Sequence, residues 1–116
     1  MSQPGAAGGL ISTARDLVRW QRALVTGQVV KPDSYLEMTT PFLLDNGRET
    51  GYGMGLELDT QAGQPCIWHG GGIPGFKSVL LYFPGAQLSI GVLSNSERLR
   101  ADTLGLELAR ALLTTK

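Results

Sequence analysis

Residues 68–76 read Trp-His-Gly-Gly-Gly-Ile-Pro-Gly-Phe, WHGGGIPGF, and hold the chain's one histidine together with four of its 16 glycines. Three readings compete: the wall of an active site, a phosphate-binding loop, or a tight turn between two strands. Gly70, Gly72 and Gly75 fit the pattern G-x-G-x-x-G. That pattern binds a dinucleotide only where it carries a strand into a helix, so that the pyrophosphate meets the helix N-terminus. Here it leads into FKSVLLYF, residues 76–83, which is rich in β-formers and has no helical stripe. The same stretch fails as a Walker A loop, because Phe76 follows Gly75 where that loop needs lysine.

An HGGG tetrad also serves as the oxyanion loop of α/β-hydrolase esterases, which carry their nucleophile on G-x-S-x-G. No such pentapeptide occurs in the chain. What surrounds the tetrad is strand-like. PCIWH precedes it, and FKSVLLYF and QLSIGVLSN follow, linked by Pro84-Gly85-Ala86 with the composition of a hairpin connection. In GYGMGLELD, residues 51–59, a period of two puts Tyr52, Met54, Leu56 and Leu58 on one face. Gly51, Gly53 and Gly55 fall on the other, where something can approach the backbone closely.

Helical patterns flank this block. In LISTARDLVRWQRALVTGQ, Ser12 or Thr13 can cap a helix, Thr13 with Asp16 fits a capping box, and Gly27 supplies the stop. Leu17, Val18, Gln21, Leu24 and Val25 share one face of that helix, leaving Arg15, Arg19 and Arg22 on a solvated one. KPDSYLEMTTP predicts a shorter helix that starts at Pro32, offers Leu36 and Met38 as apolar surface, and ends before Pro41. ADTLGLELARALLTTK closes the chain, with Ala101, Leu104, Leu108, Ala111 and Leu112 on one face and Gly105 allowing close packing. Helix, helix, four strands and helix in that order predict an α+β domain, an antiparallel sheet of about four strands covered by helices on one face.

Composition narrows the function. A chain of 116 residues with 42% apolar and 17% charged side chains builds one packed domain over 1–116, after an irregular lead-in over 1–10. Ten basic and ten acidic residues cancel, so no basic field draws nucleic acid or an anionic membrane. One cysteine, Cys66, excludes an internal disulfide, and with a single histidine it argues against a zinc site. No cofactor is expected. No apolar run approaches the roughly 18–20 residues of a membrane span. MSQPGAAGGL has neither the basic start nor the apolar centre of a signal peptide.

His69-Gly70-Gly71, followed by GIPGF and two hairpin-linked strands ending in LSNS, resembles the H-x-G segment of the serine β-lactamase-like family. Class C β-lactamases, penicillin-binding carboxypeptidases, D-aminopeptidases and related esterases belong to that family. AGGLISTARDLVRWQRAL and GYGMGLEL resemble the stretches that precede the segment there, so the resemblance runs from about Gly5 to Leu113. It implies a partial β-lactamase/transpeptidase-like fold with the segment on a strand that lines the cleft. It places His69 where the family's K-T-G has lysine, Gly70 at the middle position without the usual hydroxyl, and Gly71 at the glycine, leaving room for an acyl group. It gives the backbone N–H of Gly72 to the oxyanion hole, a donor worth about 3–4 kcal/mol to a transition state.

The family's nucleophile motif is missing. No serine is followed by lysine at the third position, and no tyrosine by asparagine at the second. Ser12 with Arg15 comes nearest, but arginine is too basic to act as a general base. The resemblance therefore implies a C-terminal portion of a hydrolase, completed by an N-terminal portion that carries S-x-x-K. The alternative is a stand-alone pseudoenzyme or interaction module. Either way, strands that the family adds from near its N-terminus would leave a sheet edge open, which predicts a homodimer or larger assembly. Blander roles remain for single residues: His69 as a satisfied strand end, Gly70 to Gly72 as a turn, Trp68 and Phe76 as core or edge packing, Tyr52 as core, and Cys66 as a buried, inert thiol.

Overall fold

In the computed structural model, which describes residues 8–96 and 98–114, the elements follow the expected order. They are α1 (Ala14–Val25), α2 (Pro32–Met38), β1 (Glu57–Gln61), β2 (Gln64–Ile73), β3 (Phe76–Phe83), β4 (Leu88–Ser94) and α3 (Ala101–Thr114). Residues 1–7 of the lead-in lie outside the described residues. The four strands form one antiparallel meander in the order β1-β2-β3-β4.

Thr13 starts α1 as expected, its Oγ1 accepting the Asp16 N–H at 3.1 Å, which satisfies one of the donors that a helix start leaves orphaned. Gln21 and Leu24 are buried on the stripe read from the sequence, while Arg15, Arg19 and Arg22 are exposed. In α2 the apolar surface is Tyr35 and Met38, whereas Leu36 is exposed. Burial pushes the Tyr35 phenol above its ordinary pKa, and Tyr82 nearby adds to the shift.

Register and alternation divide the sheet into two faces. Trp68 lies opposite Leu81, and Leu81 opposite Ile90, so these share a face with Cys66, Val79, Phe83 and Val92. This face is the core, closed by Ala101 and Ala109 of α3. The opposite face carries His69, Gly71, Ser78, Leu80 and Gly91. There α1 packs so close that a Cβ on Gly91 would lie 3.4 Å from the Ala14 carbonyl oxygen. Helices thus cover both faces, not one. The one-face expectation fails because β3 also carries Leu80 on the second face, where Val18 of α1 comes down on it across Gly91.

Two further expectations are corrected. Residues 51–56 are no strand: Gly51 and Gly55 have φ of +71° and +76°, a conformation incompatible with extension, and only Tyr52 makes a bridge, to Glu57. The close approach foreseen there is real at Gly53, where a Cβ would collide with the Met38 carbonyl. In α3 the buried stripe is Ala101, Gly105 and Ala109, and Leu108 and Leu112 are exposed. Small residues win because the helix lies directly on Val79 and Leu81, 3.0 and 3.1 Å from where a Gly105 Cβ would be.

Candidate active site

The glycine-rich stretch is a strand. β2 runs unbroken through Gly70, Gly71 and Gly72 to Ile73, paired to β3 throughout, so the turn reading holds only for Pro74-Gly75. Gly75 takes φ of +85° after a proline whose ring fixes its own φ, the composition of a type II turn. The strand outruns its other neighbour. β1 pairs with β2 only as far as Glu57 opposite Trp68, so from His69 to Ile73 no strand among the described residues pairs with the second edge.

Which amides face that open edge follows from antiparallel alternation. Ile73 and Phe76 close a two-residue loop and are therefore a hydrogen-bonded pair, so Gly72 with Lys77 is a non-bonded pair, and every second pair repeats it. The N–H and C=O of Gly70 and Gly72 consequently point away from β3. The other hairpin agrees. Gln61 and Gln64 close the loop at Ala62-Gly63, which makes Glu57 and Trp68 a bonded pair and turns the Trp68 amide away from β3 towards β1. Gly71 faces β3, and a Cβ on it would lie 2.8 Å from Ser78 Oγ. Trp68 and Gly70 to Gly72 line a cleft of about 370 Å³ that reaches Lys77 and Arg100. Arg100 is paired to Asp102 at 3.6 Å, an exposed contact that water screens.

His69 is exposed beside this edge, and both ring nitrogens have partners. Nδ1 lies 2.6 Å from the Gly70 carbonyl oxygen, which can only accept, so Nδ1 carries the hydrogen. In the neutral ring Nε2 is then bare and accepts the Tyr52 hydroxyl hydrogen at 3.1 Å. The two rings meet edge to face, centroids 5.9 Å apart at 71°. Tyr52 therefore partners His69 and is not part of the core. Its backbone is held on both sides: its N–H donates to Thr50 Oγ1 at 3.2 Å, and its carbonyl accepts the Phe42 N–H at 2.9 Å. Sequence reasoning missed it because contact with His69 spans 17 residues and the local alternation sent its side chain elsewhere.

The remaining singled-out residues resolve simply. Trp68 is half-buried against the core and its indole N–H donates to Asp59 Oδ1 at 3.0 Å, while Phe76 is 56% exposed and packs no core. Cys66 is 1% exposed, and burial pushes its thiol up to about 12, the wrong direction for a nucleophile. Among the described residues no serine hydroxyl is hydrogen-bonded to a lysine or to His69, no cluster of metal ligands forms, and no helix is long and apolar enough to cross a membrane. The arrangement offers outward-facing amides and an imidazole along one strand edge, a surface suited to a carbonyl whose oxygen gains negative charge.

A family model described as Beta-lactamase matches residues 1–114. Among solved structures, the octameric penicillin-binding protein homologue from Pyrococcus abyssi superposes with a TM-score of 0.82 at 22% identity, over 95% of this chain and 26% of that one. The D-amino acid amidase of Ochrobactrum anthropi SV3, complexed with D-phenylalanine, gives 0.69 at 23% identity, over 94% of this chain and 37% of that one. The D-stereospecific amidohydrolase of a Streptomyces species gives 0.65 at 29% identity, over 87% and 30%. The chain thus spans about a quarter to little more than a third of the length of these structures. Among curated proteins none matches.

Proposed function

The chain belongs to the β-lactamase family, and on that premise we propose that it forms the H-x-G-bearing, C-terminal portion of a serine hydrolase. The reaction is acyl transfer from a β-lactam, ester or D-amino-acid amide to a serine, followed by hydrolysis. The nucleophile and its lysine come from an N-terminal portion carrying S-x-x-K. The observation that carries the reading is the open edge of β2, where the Gly72 N–H points outward three residues along the strand from His69. Gly72 takes the role of oxyanion donor, Gly71 that of the space beside the acyl group, Gly70 that of an edge position without a hydroxyl, and His69 that of the catalytic side chain. The structural neighbours, an amidase and an amidohydrolase for D-compounds among them, support amides as the first substrates to try.

The test uses nitrocefin, p-nitrophenyl acetate and a D-amino-acid amide, with a fluorophosphonate probe to label reactive serines. The chain alone is expected to give neither turnover nor labelling, and a mixture with a portion carrying S-x-x-K to give both. Turnover by the chain alone, abolished by His69→Ala, would overturn the reading.

A second reading, a non-catalytic module that self-associates, is supported by β4. It is the last strand of the sheet, its residues Leu88–Ser94 carry no charge and no proline, and Leu93 is 41% exposed. Such an edge invites pairing with another chain. Light scattering with increasing concentration is expected to show a dimer or larger species, and a monomer throughout would rule this reading out.

A further inference from the structure

We propose that Tyr52 is a positioning residue for His69: with the Gly70 carbonyl keeping the hydrogen on Nδ1, the Tyr52 hydroxyl partners Nε2 and holds the imidazole in place. The geometry carries this in three steps. The Gly70 carbonyl oxygen, 2.6 Å from Nδ1, excludes a bare Nδ1, because two lone pairs would then face each other. The Tyr52 hydroxyl at 3.1 Å gives Nε2 a donor in the neutral ring. The same oxygen becomes an acceptor when the ring is protonated, so the Tyr52 O–H turns over as the Nε2–H bond forms. Neither state leaves a ring nitrogen without a partner. The hydroxyl is placed for this by the backbone bonds of Tyr52 to Thr50 and Phe42, and by Gly53, whose lack of a Cβ lets the Met38 carbonyl close on the segment.

The consequence for catalysis rests on the reading of His69 as a site residue given above; the tautomer does not. A hydrolase that uses His69 would then deliver or receive its proton on the side of Tyr52, 17 residues away in sequence. The Nδ1–H, spent on Gly70, orients the ring and takes no part in transfer.

The chain has one histidine, so labelling with ¹⁵N-histidine gives one pair of ring nitrogens and no assignment problem. The spectrum of the full chain is expected to show a protonated Nδ1 and a bare, hydrogen-bonded Nε2. In Tyr52→Phe the Nε2 resonance is expected to move downfield as its donor is lost, with the Nδ1–H form and the backbone amide spectrum kept. Growth on 3-fluorotyrosine, a stronger donor of nearly unchanged size, is expected to move Nε2 upfield, which decides the matter even if the phenylalanine variant unfolds. An Nε2–H form dominating the unaltered chain, or ring nitrogens indifferent to both changes, would overturn the proposal. In a reassembled hydrolase Tyr52→Phe is expected to lower kcat with little change in KM, and to cost nothing further on top of His69→Ala; additive losses would count against it. If the reassembled protein is inactive, the hydrolase reading fails while the spectra still decide the role of Tyr52.

Discussion

Chains carrying Phe83→Ala are expected to lose about 3–5 kcal/mol of stability, the loss for a fully buried phenylalanine whose site cannot collapse. Phe83 has 0% exposure, at the end of β3, on the face that also carries Cys66, Ile90 and Val92 and is closed by α3. Removing the ring takes away apolar contact with the sheet and the helix together, and the paired strands on either side resist closing the gap. A domain of this size has a net stability of about 5–15 kcal/mol, so the loss is a large part of the whole. Urea titration followed by circular dichroism is expected to place the midpoint about 2 M lower, with the slope unchanged. Phe76→Ala, at the exposed start of the same strand, is the control and is expected to cost less than about 1 kcal/mol. Equal losses from the two variants would mean that the face taken as core is not the one that holds the domain together.

The contrast between those two phenylalanines also shows what a sequence displays and what it hides. Val79, Leu81 and Phe83 alternate with less buried neighbours, as do Ile90 and Val92, so β3 and β4 are legible from period alone. The first helix is legible because Thr13 and Gly27 mark its ends chemically. Where local pattern and tertiary demand disagree, the reading fails. Residues 51–58 alternate as well as any strand, yet two glycines with positive φ bend the chain before β1 begins. Leu108 and Leu112 of α3 look like a core stripe, but close approach to the sheet selects Ala101, Gly105 and Ala109 instead. The glycine run of β2 has no strand propensity of its own. It is extended because Leu80, Val79, Ser78 and Lys77 stand opposite it, a fact about a neighbouring strand. For the same reason the H-x-G residues could be named from resemblance to a family, whereas Tyr52 could not: only folding brings it to His69.

Gly72→Pro is expected to lower kcat of the reassembled hydrolase by about 10²–10³-fold with little change in KM, the effect of removing one oxyanion donor. Proline is the informative replacement because of where this amide points. Gly72 and Lys77 form a non-bonded pair, so the Gly72 N–H contributes nothing to the β2–β3 ladder, and among the described residues no strand pairs with the other edge. A proline at such an edge position removes the donor without breaking a sheet hydrogen bond. The reference variant is Gly71→Pro. Its N–H does point into the ladder, so it is expected to destabilise the fold, lowering the urea midpoint where Gly72→Pro leaves it nearly in place. Gly72→Ala keeps the N–H, and its Cβ would meet Lys77 Nζ, the movable end of a long side chain, at 3.1 Å. It is expected to lose far less of kcat than the proline variant. A proline variant with undiminished kcat would remove Gly72 from the oxyanion role, because the only group it deletes is the amide hydrogen that the role requires.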